Sequence, residues 1–220
     1  MVLVATLLVV LASCGGSSPN GQPVDARLAA AKTAFDDARF IGFTLSSDNL
    51  PGGVSALESA HGTGTHAPAF AGDVQIAKGL SFTAPLVAVN GKVYAKLPFA
   101  SWSTINPSDY GAPDPSALMN RSTGLSSLLA AATDTSIDGS ERSGDTVLTK
   151  VSGTLPGKDV QALFPSSAES AFQVTFTLTD DDVLHSVSMT GPFYGTDHGA
   201  STYAIELDLS ADPVTISPPQ

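Results

Sequence analysis

The feature that most constrains this chain is a two-residue alternation near its C-terminus. Phe172, Val174, Phe176 and Leu178 alternate with Gln173, Thr175 and Thr177. Beyond a turn at Asp180-Asp181-Asp182 and a run over Val183–Thr190, Tyr203, Ile205, Leu207 and Leu209 alternate with Thr202, Ala204, Glu206 and Asp208. Successive side chains of a strand point to opposite faces, so each of these strands has one apolar face and one wet face. That pattern belongs to antiparallel sheets covered on one side; parallel strands, buried on both sides, read as unbroken apolar runs. The cover must come from elsewhere in the chain.

The same period appears earlier. Ile41, Phe43 and Leu45 alternate with Gly42, Thr44 and Ser46, and residues 73–78 and 81–89 are further strand candidates. Asn90-Gly91 predicts a type I′ hairpin between Ser81–Val89 and Lys92–Leu97. In its second arm Val93, Ala95 and Leu97 share one face, and Lys92, Tyr94 and Lys96 the other. Another strand is expected at Thr146–Leu155, ended by the Leu155-Pro156-Gly157 turn.

Helical spacing occurs in three places. Val24, Leu28, Ala31, Phe35 and Ala38 predict an amphipathic helix of about four turns. Phe99–Asp134 breaks the strand pattern: Asp114-Pro115 is a helix start followed by Leu118 and Met119, and Leu125, Leu128, Leu129 and Ala132 mark another helix, with Ser122 or Thr123 as its cap. Val160, Leu163 and Phe164 predict a short helix stopped by Pro165. Helix, strands, helices, strands is the order of an α+β domain, and the length suits one core.

The N-terminus sets an address. An uncharged apolar run, Val2 to Ala12, leads into Leu11-Ala12-Ser13-Cys14-Gly15, and Cys14 is the chain's only cysteine. The run is well short of the roughly 20 residues that span a bilayer as a helix. It matches the apolar core of a signal peptide ending in a lipobox, which puts cleavage before Cys14 and a diacylglycerol on its thiol. Residues 1–13 are then a lipoprotein signal peptide, and 14–23 the acylated cysteine and a flexible Gly/Ser/Pro tether. Residues 24–220 are then a single domain, held on the extracytoplasmic face of the cell membrane by its acyl chains, palmitate among them. No charged residue precedes Asp25, whereas signal peptides open with Lys or Arg; the expectation is a true start upstream of Met1.

Chemistry is scarce. The chain has no Gly-x-Ser-x-Gly elbow and no Gly-rich phosphate loop following a strand and opening a helix. His61 and His66 are five apart in a Gly/Thr-rich segment and read as surface histidines rather than a zinc site. Asp180-Asp181-Asp182 lacks the punctuated spacing of a calcium loop and reads as a solvated turn. The net charge of −11 argues against nucleic acid and anionic membrane surfaces as direct partners, and suits an exported protein of an actinobacterial envelope. No enzyme activity, metal or cofactor is expected. An apolar sheet face covered by apolar helices is equally the pattern of a filled core and of a cavity, and the residues alone leave both open.

In order and spacing, several short motifs resemble the mycobacterial LppX/LprA/LprF/LprG lipoproteins. They are the Leu11-to-Cys14 lipobox, the tether, Val93-Tyr94-Ala95-Lys96-Leu97 leading to Trp102, and the Asp114-Pro115 helix start. Gly124-Leu125-x-x-Leu128-Leu129, Val151-x-Gly153-Thr154-Leu155-Pro156 and Pro213-Val214 complete the set. The resemblance implies a half-barrel: a curved antiparallel sheet with helices packed on its concave face around a large apolar cavity. It implies a membrane-anchored protein that binds multi-acylated lipids or glycolipids and carries them toward the outer envelope, working beside an envelope lipid exporter. The alternative is a non-catalytic scaffold lipoprotein with a filled core. Local pattern nominates Val93, Phe172, Val174, Phe176, Tyr203, Ile205 and Leu207 as cavity-lining strand residues. From the helices it nominates Leu118, Met119, Leu125, Leu128 and Leu129, with Phe99 and Trp102 near an opening.

Overall fold

A computed structural model describes residues 22–220. Eleven strands form one antiparallel, curved, open sheet. In chain order they are β1 (Ile41–Asp48), β2 (Ala56–Thr65), β3 (Ala69–Lys78), β4 (Leu80–Val89), β5 (Lys92–Ala95), β6 (Ser103–Ile105), β7 (Thr133–Ser143), β8 (Thr146–Leu155), β9 (Phe172–Leu178), β10 (Leu184–Gly191) and β11 (Ser201–Asp208). Their spatial order is β6-β5-β4-β3-β2-β1-β11-β10-β9-β8-β7. The first and last strands therefore meet in the middle, with Phe43 opposite Leu207 and Leu45 opposite Ile205.

This topology dictates the cover. Strands β1 to β6 step outward to one edge, and the chain must then reach the opposite edge to begin β7. It crosses the sheet through a 3₁₀ turn (Pro107–Tyr110), α2 (Pro115–Leu118) and α3 (Ser127–Ala131). α1 (Val24–Asp37) lies on the same face, against α3, β7 and β10. A fourth helix, α4 (Gly157–Leu163), follows β8 and touches α3.

Most elements follow from local signals. Leu28, Ala31 and Phe35 of α1 are buried at helical spacing, as expected. Asn90 and Gly91 take φ of 56° and 68°, the left-handed pair a type I′ turn needs. Asp114 caps α2 by accepting from the Ser116 N–H at 2.8 Å, with Pro115 in the first helical position.

Other expectations are corrected. β2 and β7 are strands that periodicity does not reveal. β2 (ALESAHGTGT) substitutes small residues for a clear apolar set. Gly62 and Gly72 face each other across β2 and β3, and a Cβ on Gly62 would lie 2.3 Å from Ala71 O. β7 (TDTSIDGSERS) is a mostly exposed edge strand with no buried apolar face to advertise it. The interval Phe99–Asp134, read as strand-free, contains the short β6. Ser126, not Ser122 or Thr123, precedes α3; the backbone N–H groups of Ser122 and Thr123 donate instead to Asn120 Oδ1. Asp182 is not simply solvated, because its carboxylate pairs with the buried guanidinium of Arg27.

Candidate functional site

The two halves of the concave face differ in how they are filled. Beneath α4 the C-terminal half is closed by rings: Phe193 contacts Phe164 at 5.1 Å, Phe172 at 4.8 Å and Tyr203 at 4.7 Å between centroids. Tyr203 donates from its hydroxyl to Leu57 O at 2.9 Å, and Tyr194 hydrogen-bonds to that same hydroxyl. Burial pushes both phenols above their ordinary value; at Tyr203 the neighbouring Tyr194 adds to the effect.

The N-terminal half keeps an apolar cavity of about 40 Å³. Its floor is the inward face of five strands: Phe43 and Leu45 of β1, Leu57 and Ala60 of β2, Phe70, Val74 and Ile76 of β3, Phe82, Ala84 and Leu86 of β4, and Ala95 of β5. Its roof is the crossing connection, through Ile105, Pro107, Tyr110, Ala112, Pro113, Pro115 and Leu118. Among these side chains only Tyr110 carries a polar atom. What the site can do is exclude water and accept hydrocarbon.

The roof is pinned at both ends. At one end β6 pairs with β5. At the other, the His66 ring lies between two backbone carbonyls, with Nδ1 2.6 Å from Met119 O and Nε2 2.8 Å from Phe35 O. The ring also packs edge-on against Phe35, at 5.5 Å. His66 was expected on the surface; it is a half-buried clamp joining the β2–β3 turn to α1 and to the end of α2. Between these pins, Pro107, Pro113 and Pro115 bring no N–H to the sheet. Gly111, at φ 63°, closes so near Ser55 that a Cβ would lie 2.0 Å from its carbonyl oxygen. The Lys78 ammonium sits over the Tyr110 ring, 4.5 Å from its centroid.

Of the nominated residues, Leu118 lines this cavity. Val93 is buried on β5. Met119 packs where Gly64 leaves no side chain, and a Cβ there would lie 2.3 Å from its sulfur. Leu125, Leu128 and Leu129 are buried in the core, the last two on α3 beside α1. Phe172, Val174, Phe176, Tyr203, Ile205 and Leu207 belong to the core of β9 and β11. Trp102 is half-buried and Phe99 fully exposed. Cys14 lies outside the described residues. The floor of β3 and β4 carries a two-residue signal of its own, since Phe70, Val74 and Ile76 share one face of β3, and Phe82, Ala84 and Leu86 one face of β4. No cluster of His, Cys, Asp or Glu suited to a metal occurs among the described residues.

The profile of the LppX_LprAFG lipoprotein family matches residues 23–216. The chain belongs to this family. It is 30% identical, over 201 residues covering 82% of this chain and 80% of the relative, to the lipoarabinomannan carrier protein LprG of Mycolicibacterium smegmatis. Among solved structures it is similar to LprF from Mycobacterium bovis (TM-score 0.74, 17% identity, 93% of this chain and 99% of the other). It is also similar to the lipoprotein LppX of Mycobacterium tuberculosis (TM-score 0.65, 20% identity, 88% and 98%). The half-barrel is thus the family's fold. The cavity between these walls, about 40 Å³, is far below the roughly 150 Å³ that accepts a benzene ring.

Proposed function

We propose that this chain is a membrane-anchored envelope lipoprotein that shelters acyl chains of a multi-acylated lipid or glycolipid and carries them toward the outer envelope. The observation that carries the reading is the cavity, hydrocarbon-walled but for the Tyr110 hydroxyl, roofed by a proline-punctuated connection, in a family whose curated relative is named a lipoarabinomannan carrier. Exposing a tail to water costs about 0.8 kcal/mol per CH₂, so a carrier must replace the bilayer with apolar wall. In this proposal the floor of β1 to β5 supplies that wall. The tails enter as residues 105–118 swing outward between the β6 and His66 pins, and the polar head stays at the mouth. Acylation at Cys14 moors the domain on the extracytoplasmic face, and an envelope lipid exporter hands over the cargo. The protein performs no covalent chemistry.

The small volume and the filled C-terminal half favour one competing reading, a scaffold lipoprotein with a closed core. Native mass spectrometry separates the two. A soluble Cys14→Ala form lacking residues 1–13, made in an actinobacterial host, should carry added mass equal to lipid of one to a few acyl chains. A bare mass, with no uptake of supplied glycolipid, would leave the scaffold.

A further inference from the structure

Two large apolar side chains stand in solvent among the described residues: Leu80, 84% exposed, and Phe99, 110% exposed. They lie at the same end of the sheet. The Lys96 N–H donates to Pro85 O at 3.0 Å; Leu80 lies five residues before Pro85 on β4, and Phe99 three residues past Lys96, so both extend the same way from that pair. Each is two positions from a residue that lines the cavity, Phe82 and Leu97 respectively. On β4 that spacing means one face: the apolar stripe Leu86, Ala84, Phe82 runs from the cavity floor out to Leu80 at the tip.

Phe99 is also strained. Its φ is +63°, in the left-handed region that bulky residues avoid, in a turn closed by the Ala100 N–H donating to Leu97 O. Glycine would sit there without cost, and the fold gains no burial from the ring. A strained, solvated aromatic beside a site points to a contact outside the chain. Trp102, three residues past Phe99, is half-buried; Lys96, three before it, and Lys78, paired with Leu80, are exposed, the Lys78 ammonium resting over the Tyr110 ring. The acidic side chains nearby are Asp109, next to Tyr110, and the half-buried Glu58, which accepts from Ser81 Oγ at 2.7 Å. In a chain of net charge −11, this end brings together apolar rings and two of the ten basic residues. Trp with Phe, Leu and Lys is the set that suits the boundary of a bilayer, rings among the upper acyl chains and ammonium groups among phosphates.

We infer that the Leu80–Phe99 tip is a lipid-surface docking site that sets the open end of the apolar stripe against a bilayer, so that tails pass between membrane and cavity without crossing water. The inference rests on the carrier reading for its purpose, and its test does not depend on that reading. Residues 14–220 with Cys14→Ala contain every element and the whole core described above. This protein should co-sediment with mixed phosphatidylcholine and phosphatidylglycerol vesicles. Phe99→Gly, which relieves the left-handed strain and so melts no lower than the unaltered chain, should bind them at least about tenfold more weakly, as should Leu80→Ser. Equal binding by both variants, or no binding by the unaltered chain, overturns the docking site. So does a concentration-dependent dimer abolished by Phe99→Gly without vesicle binding, which would make the tip a self-association surface. Uptake of glycolipid supplied from detergent solution reads the carrier proposal separately. Uptake without vesicle binding sinks docking alone, and vesicle binding without uptake sinks the carrier alone.

Discussion

Arg27 of α1 and Asp182 of the β9–β10 turn, 155 positions apart, close an ion pair, fully buried on the arginine side, that fastens the first helix to the C-terminal half of the sheet. The guanidinium is 1% exposed and also donates from Nη2 to Thr179 O at 3.1 Å. Asp182 itself takes φ 57°, a conformation Asn tolerates well. Asp182→Asn therefore keeps the turn and removes the charge, leaving an uncompensated cation in the interior. It should cost about 3 kcal/mol in urea unfolding. Arg27→Met in the same background should recover part of that loss, because the stranded charge goes with it. An Asp182→Asn midpoint equal to that of the unaltered protein would show the pair to be without consequence.

The pair also marks the limit of what could be read in the sequence. Alternation in β1, β9 and β11, the Asn90-Gly91 hairpin and the Asp114-Pro115 cap are local signals, and each gave its element. Arg27 and Asp182 are joined only by topology, and neither Arg27's place beside Leu28 on an amphipathic helix nor the third Asp of a run signals a partner. β2 and β7 escaped for opposite reasons, one made of small residues that let neighbours approach, the other an edge with nothing to bury. Sequence does not tell a cavity wall from a filled core, because every inward apolar residue looks alike in it. Which half of the face is filled depends on Phe164 and Phe193, which lie outside the regular strands and close on Phe172 and Tyr203.

The Gly62–Gly72 pairing tests the β2–β3 assignment. A Cβ on Gly72 would lie 2.0 Å from His61 O, a backbone atom that cannot step aside. Gly72→Ala should destabilise by at least about 2 kcal/mol through overpacking. Gly52→Ala, where a Cβ meets nothing within 4 Å, should be neutral or slightly stabilising. Equal thermal midpoints for the two variants would contradict the close strand approach.

Filling the cavity should separate stability from loading. At about 24 cal/mol per Å³ of void, 40 Å³ is worth about 1 kcal/mol. Ala84→Val adds two methyl groups to the floor on a strand that favours branched side chains, so unfolding should become harder by up to that amount. Glycolipid uptake should fall in the same variant. Improved stability with unchanged uptake would place the cargo elsewhere on the concave face.

His66 should govern how readily the roof lifts. His66→Ala removes the ring that bridges Met119 O and Phe35 O, the latter keeping the Ala38 N–H, together with the ring contact with Phe35, a loss of about 2 kcal/mol. Because Met119 ends α2, amide exchange over residues 108–118 should quicken more than exchange in β9 to β11. Uniform acceleration across the sheet would mean that His66 supports the whole fold rather than the roof.

The coupled tyrosines predict an alkaline limit. In the native chain Tyr194 and Tyr203 hold their protons more tightly than in the unfolded chain, chiefly because burial disfavours the phenolate. Unfolded tyrosines ionise near about 10. Below that pH both states keep the protons, and the contribution is fully present. Above it the unfolded chain releases protons that the native chain retains, so stability falls as pH rises, and unfolding releases the phenols. Urea midpoints taken from neutral pH upward should drop beyond the ordinary tyrosine range, with phenolate absorbance from this pair appearing only as the chain unfolds. Tyr194→Phe removes one of the two groups while leaving the Tyr203 hydroxyl free to donate to Leu57 O, and should make the alkaline decline shallower. An identical decline in that variant would mean that other groups set the limit and that the buried pair plays no part in it.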